Sequence, residues 1–315
     1  MTDTAELLET LKRYKFHHVI DLGNGMATPG NKIVMPLLAP VLEDIRRRDL
    51  RGKRVLDIGC WDGLFCFEAE RQGGQVLGIE NGGLSAAAVE FLIPWFKSSV
   101  EMRALNLLDL KVEPHERFDY VICAGVLYHL RTPFHGLKVI ADAMVPGGVL
   151  LIETGMMLSP YRHPFLYAPA SKDSPYDPTS VSFFNHQALV NALESMGFDQ
   201  VECRAVVSPS PGWPRYGSWD EFLSSGDSCL ADTDGVVIGR GTYTCRRADN
   251  QAESASLKSY WFGTHKFNSD AEKLNEFRAQ YGFEPSEQWT ARVAQFAASP
   301  KRRGWLERLR RRFAG

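Results

Sequence analysis

The run Arg-Val-Leu-Asp-Ile-Gly-Cys-Trp-Asp-Gly at residues 54–63 limits what this chain can fold into more than any other stretch. Val55, Leu56 and Ile58 form an apolar, partly β-branched run between a charge and a glycine, the pattern of a short buried strand. The chain then turns through Gly59, Cys60, Trp61, Asp62 and Gly63. It resumes with Leu64, Phe65, Phe67 and Ala69 at helical spacing. A strand, a glycine turn and a helix aim the free N–H groups of the helix at whatever sits above the strand end, which suits a nucleotide-like ligand.

The remainder repeats that alternation. Strands are predicted at 75–79, 100–104, 118–123, 149–152, 200–207 and 236–246. Helices are predicted at 34–48, from Leu64 to the Gly73-Gly74 stop, at 85–96, from Pro133, and at 185–196. The order implies an α/β fold: a doubly wound, Rossmann-like, mostly parallel seven-stranded sheet whose last strand is antiparallel. Residues 1–50 read as an N-terminal cap or lid segment and 51–247 as the ligand-binding domain. Proline- and aromatic-rich lid loops interrupt that domain at 159–181 and 208–235, and 248–315 reads as a helical C-terminal extension. Glu80 lies 23 residues after Asp57, at the end of the second strand. There, α/β nucleotide folds hold ribose hydroxyls.

Charge separates the tail from the body. Of a net −2, residues 301–315 carry +6, seven Lys or Arg against Glu307, which leaves −8 on residues 1–300. A body of that sign is not an obvious nucleic-acid binder by bulk electrostatics. Trp305, Leu306, Leu309 and Phe313 share one face of the tail, so a peripheral membrane contact and a solvated basic tail both stand as readings. The six cysteines include no CxxC pair, so no metal is expected, and Cys60, Cys123 and Cys203, within or beside apolar runs, read as small core residues of a reducing compartment. The N-terminus has no signal-peptide pattern, and no run approaches the ~18 apolar residues of a membrane span, so a cytoplasmic location is expected.

Taken in order, Asp57-Ile-Gly59-Cys-Trp-Asp-Gly63, Glu80, Phe118-Asp119, Gly125-Val-Leu-Tyr128-His129, Pro146-Gly-Gly148 and Glu153 resemble the class I S-adenosylmethionine-dependent methyltransferases over roughly residues 50–205. One departure is Trp61, which stands where that family's middle glycine would be. Residues 125–133 are similar to the Gly-Val-Leu-Tyr-His-Arg-Arg-x-Pro stretch of the tRNA wobble-uridine carboxymethyltransferases. Substrate-unassigned relatives of that group also share the segment from Asp21 to Gly30.

The resemblance implies S-adenosylmethionine as donor, held by backbone contacts at Gly59, Cys60 and Gly63. It further implies Glu80 at the ribose hydroxyls, Asp109 either accepting from the adenine amino group or serving as a turn or cap residue, Asn81, Leu108 and Ala124 as further donor contacts, and Asp57 orienting the turn and the donor's amino group. Carboxy-S-adenosylmethionine is the alternative donor. Its extra carboxylate would meet Tyr128, Arg240 and Lys15. Tyr128 and His129 are the candidate catalytic pair, His129 either as a base for an acceptor hydroxyl or as a packing residue. His17, His18 and His163 read as surface or packing histidines.

Three functions follow. The first is O-methylation of a small-molecule or sugar-like acceptor, with the aromatic lids closing over it. The second is tRNA carboxymethyl or methyl transfer. The third is a non-catalytic binding protein of the same fold, supported by Trp61 in the turn.

Overall fold

The fold is seen in a computed structural model that describes residues 9–81, 84–160, 162–228 and 236–249. These lie within the unit Met1–Ser254. Apart from residues 248 and 249, the expected C-terminal extension, with its basic end at 301–315, lies outside the described residues.

A small antiparallel hairpin, β1 (Asp21–Gly23) and β2 (Met26–Ala27), precedes helix α1 (Met35–Arg46). Then come β3 (Arg54–Ile58), α2 (Leu64–Arg71), β4 (Gln75–Glu80), α3 (Leu84–Phe96) and β5 (Glu101–Ala104). The second half contains β6 (Phe118–Ala124), α4 (Pro133–Asp142), β7 (Met144–Met157), β8 (Leu166–Tyr167), β9 (Phe183–Phe184) and α5 (His186–Ser195). It ends with β10 (Phe198–Val207), β11 (Arg215–Tyr216), α6 (Trp219–Leu223) and β12 (Ile238–Arg247). The main sheet has the order β11-β10-β12-β7-β6-β3-β4-β5. Strands β7, β6, β3, β4 and β5 are parallel, and β12, β10 and β11 add antiparallel pairs at one side.

This is the doubly wound α/β sheet that the sequence predicts, with eight strands among the described residues in place of seven. The extra strand, β11, has only two residues, too few for an alternation to register.

Period-two side-chain alternation divides the core between the two faces. Leu56, Ile58, Leu77, Ile79, Val121, Leu150 and Ile152 face α4 and α5, packing with Leu137, Ile140, Leu189 and Leu193. Their strand neighbours Val55, Val76, Tyr120, Ile122 and Leu151 face α1, α2 and α3, packing with Val41, Ile45, Phe65, Ala69, Val89 and Leu92. With both faces covered, the central strands are mostly apolar, Asp57 in β3 being a buried exception, which is why they read as hydrophobic runs.

The N-terminal segment is fastened over the glycine turn. Thr28 Oγ1 accepts the Ile20 N–H at 2.8 Å and donates to the His18 carbonyl at 2.8 Å. Gly30 must lack a side chain, because a Cβ there would stand 1.9 Å from the His18 carbonyl oxygen. The Thr-Pro-Gly stretch thus closes a loop onto His18.

The two expected lids part ways. Residues 159–181 run beside the strand ends, where β8 pairs with β9 and the Val181 and Ser182 N–H groups both donate to the Tyr128 carbonyl at 2.9 and 3.1 Å. The described part of 208–235 differs from the expectation. Residues 215–216 form β11 on the sheet edge, and Arg215 grips Glu43 of α1 with two hydrogen bonds of 2.8 and 2.6 Å. Backbone pairing at an open edge satisfies that stretch better than a free lid would.

Candidate active site

A cavity of about 610 Å³ opens at the C-terminal ends of the parallel strands, where open α/β sheets bind ligands. Gly59 and Trp61 line it from the glycine turn, and Ala124, Gly125, Tyr128 and His129 from the end of β6 and the turn after it. The N-terminal segment and α1 supply His17, His18, Val34, Leu37 and Leu38, with Phe65 from α2. Residues 159–181 supply Tyr176, Asp177 and Thr179, and β12 supplies Arg240. A second cleft, of about 420 Å³, lies beside Arg47, Lys53 and Pro146 at the opposite, N-terminal end of the strands.

The glycine turn is held from below. The Gly59 and Cys60 N–H groups both donate to the Ile79 carbonyl, at 2.9 and 3.2 Å, and the Gly63 N–H donates to the Cys60 carbonyl at 2.8 Å. The amides expected to meet a ligand are therefore committed within the turn. Gly59 has φ +64°, and a Cβ there would lie 2.5 Å from Val126 Cγ2, so the position demands glycine. Trp61 adopts a left-handed φ of 51° without being glycine. Its ring lies along the cavity wall, 5.2 Å from His17 between centroids, with Lys15 Nζ 5.5 Å from its centre. The indole leaves the cavity open.

Glu80 turns inward. Its Oε2 accepts the Trp61 N–H at 3.0 Å and its Oε1 the Asn81 N–H at 2.9 Å, which leaves lone pairs on both oxygens. Leu108 and Asp109 lie in a tight turn after β5, where the Asn106 side chain accepts the Leu108 N–H at 2.9 Å. Asn81 and Asp109 are exposed. Glu80, Asn81, Leu108 and Asp109 stand at the ends of the strands, outside the cavity lining.

Asp57 lies beneath the turn, fully buried, and accepts from Cys66 Sγ at 3.1 Å. Burial first, then the charges of Glu80 and Asp62, push its carboxyl up to about 7 against the Cys66 hydrogen bond. The folded state therefore holds this proton more tightly than the unfolded chain does. Its stabilising contribution is complete below about pH 4 and is lost as pH rises to about 7. Asp57→Asn should flatten that decline, as urea midpoints measured across the interval would show.

Two buried carboxylates that the sequence left unassigned organise the site. Asp62 Oδ2 accepts the N–H groups of His17 and His18 at 2.7 Å each, while Oδ1 pairs with His18 Nδ1. Glu153, fully enclosed in β7, meets Arg240 fork to fork at 2.5 and 2.6 Å. Its Oε2 also accepts the Gly125 N–H at 3.1 Å. Arg240 then donates to the Tyr176 hydroxyl at 3.1 Å and lies 4.7 Å from the centre of the Tyr128 ring. Burial pushes the Tyr128 phenol up to about 12, against the pull of Arg240, so it stays protonated at neutral pH. Burial, the neighbouring His18 and the cations Arg240 and Lys15 lower the His17 pKa, with Asp62 opposing; the imidazole is neutral at pH 7.

Tyr128 and His129 sit in one turn, ring centroids 4.1 Å apart. The cavity thus gathers Gly59, Ala124, Tyr128, His129 and Arg240, whereas Lys15 is not in its lining and lies against the Trp61 ring. Cys60 points away, its Sγ 3.7 Å from Met102 Sδ. His18, expected as a surface or packing residue, is buried and also bound to Asp62.

A family model described as a methyltransferase domain matches residues 32–203, more than half of the 315. A tRNA U34 carboxymethyltransferase of Desulfotalea psychrophila is 33% identical over 189 residues, 57% of this chain and 55% of that protein. Its counterpart from Haemophilus influenzae is 30% identical over 206 residues, 62% of this chain and 59% of that one. The chain therefore spans somewhat over half the length of these curated relatives. Among solved structures, the N-terminal domain of EvdMO1, crystallised with SAH and D-fucose, superposes with a TM-score of 0.55 at 19% identity, covering 78% of this chain and 98% of that one. That likeness concerns the fold.

Proposed function

The chain belongs to the methyltransferase-domain family, and from that premise we propose that it transfers a methyl group from S-adenosylmethionine to the hydroxyl of a small, sugar-like acceptor. The observation that carries this reading is the shared cavity, which brings the glycine turn, Tyr128 and His129 together under residues 176–179. Its volume of about 610 Å³ falls in the range of small-molecule sites.

The residues present fit such a donor. Glu80 has acceptor capacity to spare for ribose hydroxyls, and Val34, Leu37, Leu38 and Phe65 give an apolar wall. When bound, the sulfonium supplies a methyl group that is already activated, so the protein's work is alignment and exclusion of water. His129 takes the proton of the acceptor hydroxyl as its oxygen attacks, and the protonated Tyr128 phenol offers a hydrogen bond beside it.

Calorimetry with S-adenosylhomocysteine tests the premise, and absence of binding would overturn it. With hydroxylated acceptors, His129→Gln should lower kcat by about 10²–10⁴-fold and leave S-adenosylhomocysteine affinity unchanged.

A second reading, (carboxy)methyl transfer to tRNA from a carboxylated donor, rests on a specific observation. Tyr128 and Arg240 line one cavity, with Lys15 against the Trp61 ring of its wall, and the curated relatives are named for that reaction. Against it, Arg240 is already neutralised by Glu153. Mass spectrometry of the copurifying ligand separates the readings, since the carboxylated donor is heavier by one carbon dioxide. Its absence, with no tRNA gel shift at low salt, would end the second reading.

A further inference from the structure

The segment carrying Asp177 and Thr179 does more than cover the cavity. His129 Nδ1 lies 3.0 Å from the Thr179 carbonyl oxygen and 3.1 Å from Thr179 Oγ1. A carbonyl oxygen only accepts. The hydroxyl could donate, but Oγ1 is 2.5 Å from Asp177 Oδ1, and a carboxylate is the stronger acceptor for that proton. Both Thr179 oxygens are thus left as acceptors towards Nδ1.

Asp177 also builds the turn that presents them. Its Oδ1 accepts the Thr179 N–H at 2.8 Å and its Oδ2 the Ser180 hydroxyl at 2.5 Å. Those bonds and the nearby His129 hold its carboxyl below the ordinary carboxylate range, although burial works the other way.

We propose that Asp177 and Thr179 are positioning residues that fix His129 as the Nδ1–H tautomer, leaving the lone pair of Nε2 as the ring's basic site. Free histidine carries its neutral proton mainly on Nε2, so this tautomer is imposed by the protein. The partner that sets a histidine's tautomer decides which nitrogen can do chemistry. Among the described residues Nε2 makes no hydrogen bond. The other titratable groups around the ring are Tyr128 and Tyr176, with His17 and Arg240 across the cavity. The inference rests on the base role given to His129 above: docking of residues 176–179 arms the base.

The test needs no acceptor. Long-range proton–nitrogen NMR of the full chain labelled with ¹⁵N-histidine, about two pH units above the ordinary imidazole pKa of about 6.5, reports each tautomer. His129→Gln assigns the signal. Wild type should show His129 as Nδ1–H, and Asp177→Ala should shift it mainly to Nε2–H. Asp177→Asn, which retains an acceptor oxygen, should restore most of the Nδ1–H form. A wild-type Nε2–H signal, or an Asp177→Ala spectrum unchanged at His129, overturns the inference, and the wild-type spectrum decides even if the alanine variant does not fold. Loss of the base role itself would appear elsewhere, as full methyl transfer by His129→Gln.

Discussion

Replacing Arg240 with methionine should lower the unfolding free energy by about 3–5 kcal/mol, the usual result of stranding one member of a buried ion pair. Glu153 has no exposed surface and, without the guanidinium, keeps among the described residues only the Gly125 N–H as a partner for its carboxylate. Removing both charges should be far milder. Arg240→Met with Glu153→Gln leaves no buried charge, so most of the lost stability should return and the double-mutant cycle should show strong coupling. Urea midpoints at constant slope provide the measurement. If the two single losses simply add, the pair is not the unit that the hydrogen bonds describe. Ligand affinity should not recover in the double variant, because Arg240 also donates to Tyr176 and lies against Tyr128 on the cavity wall.

That pair also marks where sequence reading stops. Glu153 and Arg240 are 87 residues apart, and on adjacent antiparallel strands Glu153 faces Thr242 while Arg240 faces Gly155. They meet on a diagonal that no local period encodes. The central strands were legible for the opposite reason: burial on both faces writes Val76 to Ile79 as an apolar run, and Val55 to Ile58 as one broken only by Asp57. Once those runs are placed, Gly59, Ala124, Tyr128 and His129 follow by connectivity, since each comes at or just after a strand's C-terminal end. Arg240 and Lys15 were reachable only through a family resemblance. Asp177 and Thr179, in an irregular segment held by side-chain hydrogen bonds, left no periodic trace. The same limit explains why residues 208–217 looked like a lid: proline and tryptophan mark a turn, and only the partner strand shows that the turn folds onto an edge.

Asp62→Ala should detach the N-terminal segment from the cavity while leaving the main sheet folded. The carboxylate is fully buried and accepts two consecutive backbone N–H groups, those of His17 and His18, as well as pairing with the His18 ring. Alanine leaves those donors enclosed and unmatched, a loss of about 3 kcal/mol if each N–H costs 1–3. Because Ile20, His18 and Gly30 are each hydrogen-bonded to Thr28, the whole stretch from His17 to Gly30 should open together. Hydrogen exchange should therefore accelerate across these residues and stay slow in β3 and β6. Binding of S-adenosylhomocysteine should weaken at least tenfold, since His17 and His18 form part of the cavity wall. Asp62→Asn separates shape from charge. Its carboxamide oxygen can take both backbone N–H groups and its NH₂ can donate to a neutral His18 Nδ1, so its loss should be nearer 1 kcal/mol. Equal damage from alanine and asparagine would mean that the negative charge itself holds the segment down. No change in exchange with alanine would mean that the hairpin and Thr28 hold it without Asp62.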